Sequence, residues 1–174
     1  EYSRAAAAIV EASKSVFGEL PAFDYGEYTF LACYLPWVDG DGMEHRNSTV
    51  LTSTSSLARN MTGVLGTLAH EFFHAWNVER IRPRSLQPFD FEAANMSGEL
   101  WFAEGFTSYY DELMLLRAGR VDAPRYLKLL AASINGVLAA PGRRVQPLSA
   151  ASFEAWTKYY RPDENSPNAT SNYY

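Results

Sequence analysis

The chain has 174 residues, 47% of them hydrophobic, which predicts one domain with a sizeable core and argues against intrinsic disorder. Its net charge of −5 argues against nucleic-acid binding, and its one cysteine, Cys33, excludes a disulfide framework and any zinc site built from several thiolates. The sequence shows no signal peptide and no apolar run of about 18 residues, the length that spans a bilayer.

The first part of the chain predicts one helix and two strands. The alanine-rich stretch Glu1–Gly18 predicts a helix that ends at its glycine. The aromatic and apolar stretch Tyr28–Leu35 predicts a strand, and Asp39–Gly42 predicts a tight loop. Asn47–Thr54 predicts a second, more polar strand, which we expect at the edge of a sheet.

The rest of the chain predicts a series of helices. Met61–Asn77 is apolar on nearly every side, which predicts a buried helix capped by Asn60 or Thr62. An irregular connection rich in arginine and proline, Glu79–Asn95, follows it. Three further helices are expected, at Gly98–Ala118 after a cap at Ser97, at Asp122–Ala139 and at Ser149–Tyr159, before a loop-like tail over Arg161–Tyr174. The fold class predicted is therefore α+β, mainly helical, with a small sheet.

The segment His70-Glu71-Phe72-Phe73-His74 has the form H-E-x-x-H and lies inside a predicted helix. Residues four apart on a helix are offset by about 40° and rise about 6 Å, so the two imidazoles point the same way and can bind one zinc ion. Glu71 lies between them and can act as general base on a zinc-bound water. A glutamate buried beside two phenylalanines would also be costly without a partner. The pattern favours a zinc centre over two incidental histidines.

A catalytic zinc needs a third protein ligand and an open fourth position. No third histidine follows the motif, so we expect a carboxylate. Glu104 is the best candidate, because it lies in the apolar run Trp101–Phe106, with a structural ion pair as the alternative role. Glu92 and Glu99 are expected to be solvated. Asp111, about 10 Å farther along the same helix face than Glu104, suits a hydrogen bond to a metal-bound histidine, although a solvated aspartate explains it equally well.

These motifs resemble the gluzincin metallopeptidases, and more closely the glycyl aminopeptidase family whose members carry a PDZ domain. The resemblance lies in His70–Pro83, Trp101–Asp111, Gly42–Leu51 and Asp163–Tyr174, and so runs through most of the chain. It implies a thermolysin-like catalytic domain with a zinc-binding active-site helix. It also implies one Zn²⁺ per chain, bound by His70, His74 and Glu104, with Glu71 as general base.

The stretch Gly42-Met43-Glu44-His45 is similar to the G-x-M-E-N strand of the related aminopeptidase N family. In that family the glutamate binds the free α-amine of the substrate and the strand backbone pairs with the peptide. The resemblance implies that Glu44 anchors the amine and that Gly42 and Met43 contact substrate. His45 replaces the asparagine of that pattern. From the residues alone, a glutamate after a glycine loop is more often a surface residue.

Related aminopeptidases also place a tyrosine before x-K-G to stabilise the oxyanion, and Tyr174 matches it better than Tyr173. The 29 residues between His74 and Glu104 form a longer interval than in thermolysin-like sequences, which suggests that they shape the rim of a pocket. Family members are longer, with an N-terminal β-rich region and a C-terminal PDZ domain. We therefore expect residues 1–174 to be an excised single catalytic domain, with a bacterial extracytoplasmic (periplasmic) location preferred.

The sequence thus favours a zinc-dependent aminopeptidase that hydrolyses the N-terminal peptide bond of peptides with a free N-terminus. A thermolysin-like zinc endopeptidase is one alternative, because it would share every metal-binding residue. A catalytically silent, zinc-containing peptide-binding domain is the other, and it would bind zinc without hydrolysing peptides. The preferred N-terminal residue and the oligomeric state stay open.

Overall fold

The computed structural model describes residues 1–174, which divide into two compact units. The strand-containing unit comprises residues 1–81 and 109–126, and the helical unit comprises residues 82–108 and 127–174. No helix in either unit has both the length and the apolarity needed to cross a lipid bilayer. The α+β class, mainly helical with a small sheet, is confirmed. That the chain forms one catalytic domain stays a prediction.

The strand-containing unit has a three-stranded sheet, whose strands follow the first helix and precede the second along the chain. Its elements are α1 (Tyr2–Phe17), β1 (Thr29–Tyr34), β2 (Gly42–His45), β3 (Ser48–Ser53), α2 (Leu57–Phe73) and most of α3 (Phe106–Arg117). The helix α1 ends where the sequence predicts, because Gly18 adopts φ 86 and donates its N–H to the Lys14 carbonyl at 2.8 Å. This left-handed conformation suits glycine, which has no Cβ.

The strand order of the sheet is β1-β3-β2, with β1 parallel and β2 antiparallel to β3. The prediction that Asn47–Thr54 lies at an edge is therefore wrong: its strand, β3, is central and β2 is an edge. The polar residues of this strand suggested exposure, but Thr49 is fully buried. Its hydroxyl donates a hydrogen bond to the Met43 carbonyl at 2.9 Å. Its hydrogen bond to the neighbouring strand offsets the free-energy cost of burying the hydroxyl.

Helix α2 is largely buried from Val64 to Phe73, as its apolar sequence predicts, but its first turns are mostly exposed and its ends differ from the prediction. It begins at Leu57, breaks at Asn60 (φ −143°, ψ 50°) and ends at Phe73, ahead of the expected Asn77. Asn60 accepts a hydrogen bond on its side-chain oxygen from the Gly63 N–H at 3.2 Å, so it caps the part that follows, as expected. The core around α2 is built from fully buried residues, including Ile9, Leu51, Leu65, Leu68 and Met114.

The helical unit consists of short helices and one long one. It contains a 3₁₀ turn (Arg84–Leu86), a π-helical segment (Trp101–Gly105), most of α4 (Ala123–Ala139), a second 3₁₀ turn (Pro141–Arg144), α5 (Leu148–Phe153), a second π-helical segment (Ala155–Tyr159) and α6 (Ser166–Ala169). Asp122 caps α4 by accepting a hydrogen bond from the Arg125 N–H at 2.9 Å, which agrees with the predicted start.

Two predictions in this unit differ from the structure. The helix expected over Gly98–Ala118 begins only at Trp101, and its first turn is π-helical. The tail expected to be loop-like contains α6, and its Tyr173 side chain is fully buried against Ala151 and Ala155. The tail is ordered because its aromatic side chain contributes to a small core of its own.

Candidate metal centre

The two histidines of the H-E-x-x-H motif lie side by side at the C-terminal end of α2. His70 is in the last turn of α2, and His74 directly follows its last residue, with the His74 N–H bonded to the His70 carbonyl at 3.3 Å. Helical geometry therefore continues through His74. The centroids of the imidazole rings are 4.7 Å apart and the rings are nearly perpendicular. His74 is fully buried, and the side chain of His70 is 15% exposed.

Each imidazole donates a hydrogen bond from Nδ1 to an acceptor of the protein. For His70 the acceptor is Oδ2 of Asp111, at 2.9 Å, and for His74 it is the backbone carbonyl of Asn77. A carbonyl oxygen can only accept, so the proton of His74 resides on Nδ1 and Nε2 carries the lone pair that a metal requires. Histidines that ligate metals have this arrangement. The donor set therefore fits Zn²⁺, which binds imidazole nitrogen well.

Asp111 is held in a mostly buried position on α3 beside His70. Burial raises the pKa of the Asp111 carboxyl group, while the hydrogen bond from His70 acts in the opposite direction. The structure therefore places Asp111, one of the predicted site residues, against His70 of the H-E-x-x-H motif. Glu92 and Glu99 are exposed, although Glu99 accepts hydrogen bonds from Ser85 and Ser97 that lower its pKa.

Glu71, Glu44 and His74 form a cluster within the strand-containing unit. One ligand atom from each of the three lies within 4.8 Å of the other two. Glu71 is 7% exposed, and Glu44 is half-buried on the edge strand β2. Two carboxylates so close to each other repel, and they create a strongly negative local potential. Such a cluster attracts a cation, whether a metal ion or an ammonium group.

Gly42 brings the edge strand into contact with Glu71. A Cβ atom at this position would overlap the Glu71 side chain, so glycine lets β2 pass here without displacing that side chain. The resemblance singled out Gly42 as a substrate contact, but nothing in the sequence connected it to Glu71. Met43 is 55% exposed and, because side chains alternate along a strand, points to the opposite face from Gly42 and Glu44. His45 is also exposed.

Arg80 lies near the site but has no role that its sequence context indicates. It lies in the turn region after α2, and its guanidinium donates to three backbone carbonyls. Its arginine- and proline-rich stretch predicts only part of a pocket rim. Hydrogen bonds to backbone carbonyls leave no pattern in a single sequence, so no signal could have identified it.

In the helical unit, Glu104 and Tyr174 are close enough to interact electrostatically. Glu104 is half-buried in the π-helical segment. Burial, and then the charge of Glu104, raise the pKa of Tyr174, whose hydroxyl lies 3.0 Å from that of Tyr160. Tyr174 is 38% exposed whereas Tyr173 is buried. Of the two tyrosines considered for the oxyanion, Tyr174 is thus the one that solvent or a ligand can reach.

Gly105 allows the end of the chain to pack beside Glu104. A Cβ atom on Gly105 would lie 2.8 Å from the Tyr173 carbonyl oxygen, which is closer than real contacts of this kind. The backbone of the last residues therefore passes directly over the glycine that follows Glu104. This contact explains why Tyr174 experiences the Glu104 charge.

Comparison with known proteins gives a family match and a structural match. The profile of the M61 glycyl aminopeptidase family matches residues 63–174. The crystal structure of an aminopeptidase N family protein from Idiomarina loihiensis is similar to this chain, with a TM-score of 0.88 and 36% sequence identity. That similarity covers 99% of this chain and 30% of the other, so the chain spans less than a third of its relative's length. No curated protein matches significantly.

Proposed function

Because the chain belongs to the M61 glycyl aminopeptidase family, we propose that it carries the catalytic site of a zinc-dependent aminopeptidase for peptides with a free N-terminus. The family match confirms the resemblance drawn from the motifs. The observation that carries the proposal is the cluster of Glu44, Glu71 and His74, with ligand atoms within 4.8 Å of one another. An exopeptidase needs a base, a metal-binding imidazole and a group that recognises the substrate's amine in close proximity.

His70, His74 and Glu104 would hold one Zn²⁺. In support, both imidazoles donate from Nδ1 to acceptors of the protein, and Asp111 is the acceptor for His70. Glu104 is proposed as the third ligand because Trp101–Asp111 resembles the corresponding segment of the glycyl aminopeptidases, and because Glu104 is half-buried in an apolar segment. When bound, zinc supplies a Lewis acid that polarises a carbonyl and lowers the pKa of water toward 7.

Glu71 would act as the general base. Its carboxylate accepts the proton of the attacking water and then transfers it to the nitrogen of the leaving amine. The burial of Glu71 against Gly42 supports this role, because a buried side chain has less freedom to reorient before the reaction. Its neighbours Phe72 and Phe73 are fully buried and fix the turn of α2 that carries it.

Glu44 would bind the α-ammonium group of the substrate. Its position in the negative cluster supports this role, since a cationic N-terminus there would relieve the repulsion between Glu44 and Glu71. The amine would then be held so that the first peptide bond meets Glu71. Gly42 and Met43, on the same edge strand, would contact the peptide beside it.

Tyr174 would donate a hydrogen bond to the oxyanion that forms during attack. Its partial exposure and its proximity to Glu104 support this role. Tyr173 is the weaker choice because its side chain is buried in the small core of the helical unit. A preorganised donor of this kind typically contributes a factor of about 10²–10³ to kcat.

The proposal is tested by metal analysis together with hydrolysis of matched peptides that have either a free or an N-acetylated terminus. We expect one zinc per chain and cleavage of the free peptide alone. Equal cleavage of both peptides would indicate an endopeptidase. Stoichiometric zinc with no cleavage of any peptide would indicate a silent binding domain, and either result would overturn the proposal.

A further inference from the structure

We propose that Arg80 is a positioning residue that holds the β2–β3 hairpin in place, so that Glu44 stays beside Glu71 and His74. The inference rests on the proposed role of Glu44 in binding the substrate's amine. It adds a determinant of selectivity that touches neither the substrate nor the proposed metal ligands. All of the contacts involved lie within the strand-containing unit.

The Arg80 guanidinium links three separate segments of backbone. Nη1 donates to the Ala75 carbonyl at 2.7 Å and to the Arg46 carbonyl at 3.2 Å, and Nη2 donates to the Ala22 carbonyl at 2.9 Å. Ala75 directly follows His74, Arg46 lies in the turn between β2 and β3, and Ala22 precedes β1. One side chain therefore ties the hairpin to the turn that follows the H-E-x-x-H motif.

The chemistry of arginine suits this role. The planar guanidinium presents five N–H donors in a fixed fork and has no acceptor, so it can serve several carbonyls at once in one geometry. The group also lies over the ring of Phe23, 5.4 Å from the ring centroid, which restricts its position further. A lysine would present a compact ammonium group and could not match all three acceptors with the same geometry.

A second set of contacts anchors the same turn of the hairpin. Asp24 accepts hydrogen bonds on Oδ2 from Arg46 Nε and from Asn47 Nδ2, each at 3.0 Å. In return, Asn47 Oδ1 accepts the Asp24 N–H at 3.0 Å. Both anchors thus connect the turn after Glu44 to the loop that contains Ala22 and Asp24.

Anchoring is needed because the hairpin carries Glu44 into an unfavourable position. The Glu44 and Glu71 carboxylates repel each other at their close distance, and β2 is a four-residue edge strand bonded to β3 on one side only. Arg46 is two residues beyond Glu44, so fixing its carbonyl limits how far Glu44 can move away. Without that contact, we expect repulsion to widen the space between the two carboxylates.

The test compares Arg80→Met and Arg80→Lys with Arg120→Met. Arg120 is an exposed arginine whose side chain donates only to the carbonyl of Ala118, two residues away, and serves as the matched control. The readout is the ratio of kcat/KM for a free-amine peptide to that for its N-acetylated counterpart, with zinc content measured in parallel. For Arg80→Met we expect this ratio to fall roughly ten- to a hundredfold, mainly through KM of the free peptide, with zinc retained.

Arg80→Lys should retain part of the selectivity, and Arg120→Met should retain all of it. If Arg80→Met fails to fold, Asp24→Ala serves as the second test, because Asp24 is exposed and anchors the same turn. This variant should lower the selectivity ratio several-fold. The inference is overturned if Glu44→Gln abolishes the selectivity while folded, zinc-loaded Arg80→Met or Asp24→Ala keeps it. If Glu44→Gln itself leaves the ratio unchanged, the proposed role of Glu44 fails instead.

Discussion

The protons on His70 and His74 are fixed by ordinary hydrogen bonds before any metal arrives. The carboxylate of Asp111 and the carbonyl of Asn77 each accept from Nδ1, which leaves Nε2 of both rings as the nitrogen that would bind the proposed metal ion. Binding a cation then requires little rearrangement of these two side chains. This preorganisation is a property of individual atoms, and its consequences are tested by single substitutions.

Glu71→Gln should leave zinc bound and abolish turnover. The amide has nearly the shape of the carboxylate but cannot accept the proton of the attacking water. Zinc content by elemental analysis and kcat/KM with a free-amine peptide measure the two effects separately. Turnover at the parental rate would remove Glu71 from the reaction.

Gly42→Ala should lower kcat by roughly ten- to a hundredfold while zinc stays bound, because a misplaced base is costly. The added methyl group would overlap the Glu71 carboxylate and force either that group or β2 to move. Gly40→Ala is the matched control, since a Cβ there meets nothing within 4 Å. Steady-state kinetics on both variants make the comparison, and equal activity of the two would contradict the contact.

Single residues were predictable from the sequence to different degrees. The spacing of His70 and His74 predicts neighbouring rings because helix periodicity is the same in every protein. Asp111 was a plausible partner of a histidine for the same reason. The roles of Arg80 and Asn77 were not predictable, because the interacting groups are backbone carbonyls, which every residue has.

At the scale of elements, glycines mark the places where segments approach most closely. Gly42 lies against α2, and Gly142, in the 3₁₀ turn Pro141–Arg144, lies against the carbonyl of Thr170 just after α6. By contrast, Gly136 in α4 is exposed and has open space around its Cα. The same substitution of glycine by alanine should therefore have opposite effects on stability at these positions.

Gly142→Ala should destabilise the fold by about 1–3 kcal/mol, because its methyl group has no room beside the Thr170 carbonyl. Gly136→Ala should instead stabilise it by about 0.5–1 kcal/mol, since alanine loses less backbone entropy in a helix. Denaturant unfolding of both variants measures the difference. Equal stability of the two would contradict the packing described for the tail.

The local sequence pattern predicts some boundaries and positions of helices and strands but not others. The starts of α4 and of the capped part of α2 were predictable because Asp122 and Asn60 act through their own side chains. The central position of β3 was not, since it depends on how Thr49 bonds to a neighbouring strand. The π-helical turn at Trp101–Gly105 likewise has no sequence signature that separates it from an α-helix.

At the scale of the whole molecule, metal binding and folding should be linked. A ligand that binds only the folded chain raises the free energy of unfolding, by about 2.7 kcal/mol when its free concentration is a hundred times Kd. We therefore expect added Zn²⁺ to raise the unfolding temperature and a chelator to lower it. Thermal unfolding measures this, with His70→Ala as the control that should lose most of the shift. An identical shift in that variant would place the metal elsewhere.

The length of β2 limits how many residues of an extended peptide can pair with it. A four-residue strand is only about 14 Å long, and its outer side borders no other strand. An extended peptide along that side would form only a few backbone hydrogen bonds with β2. Affinity gained there should level off after the first few residues of a peptide, so that long and short peptides with the same beginning compete on nearly equal terms.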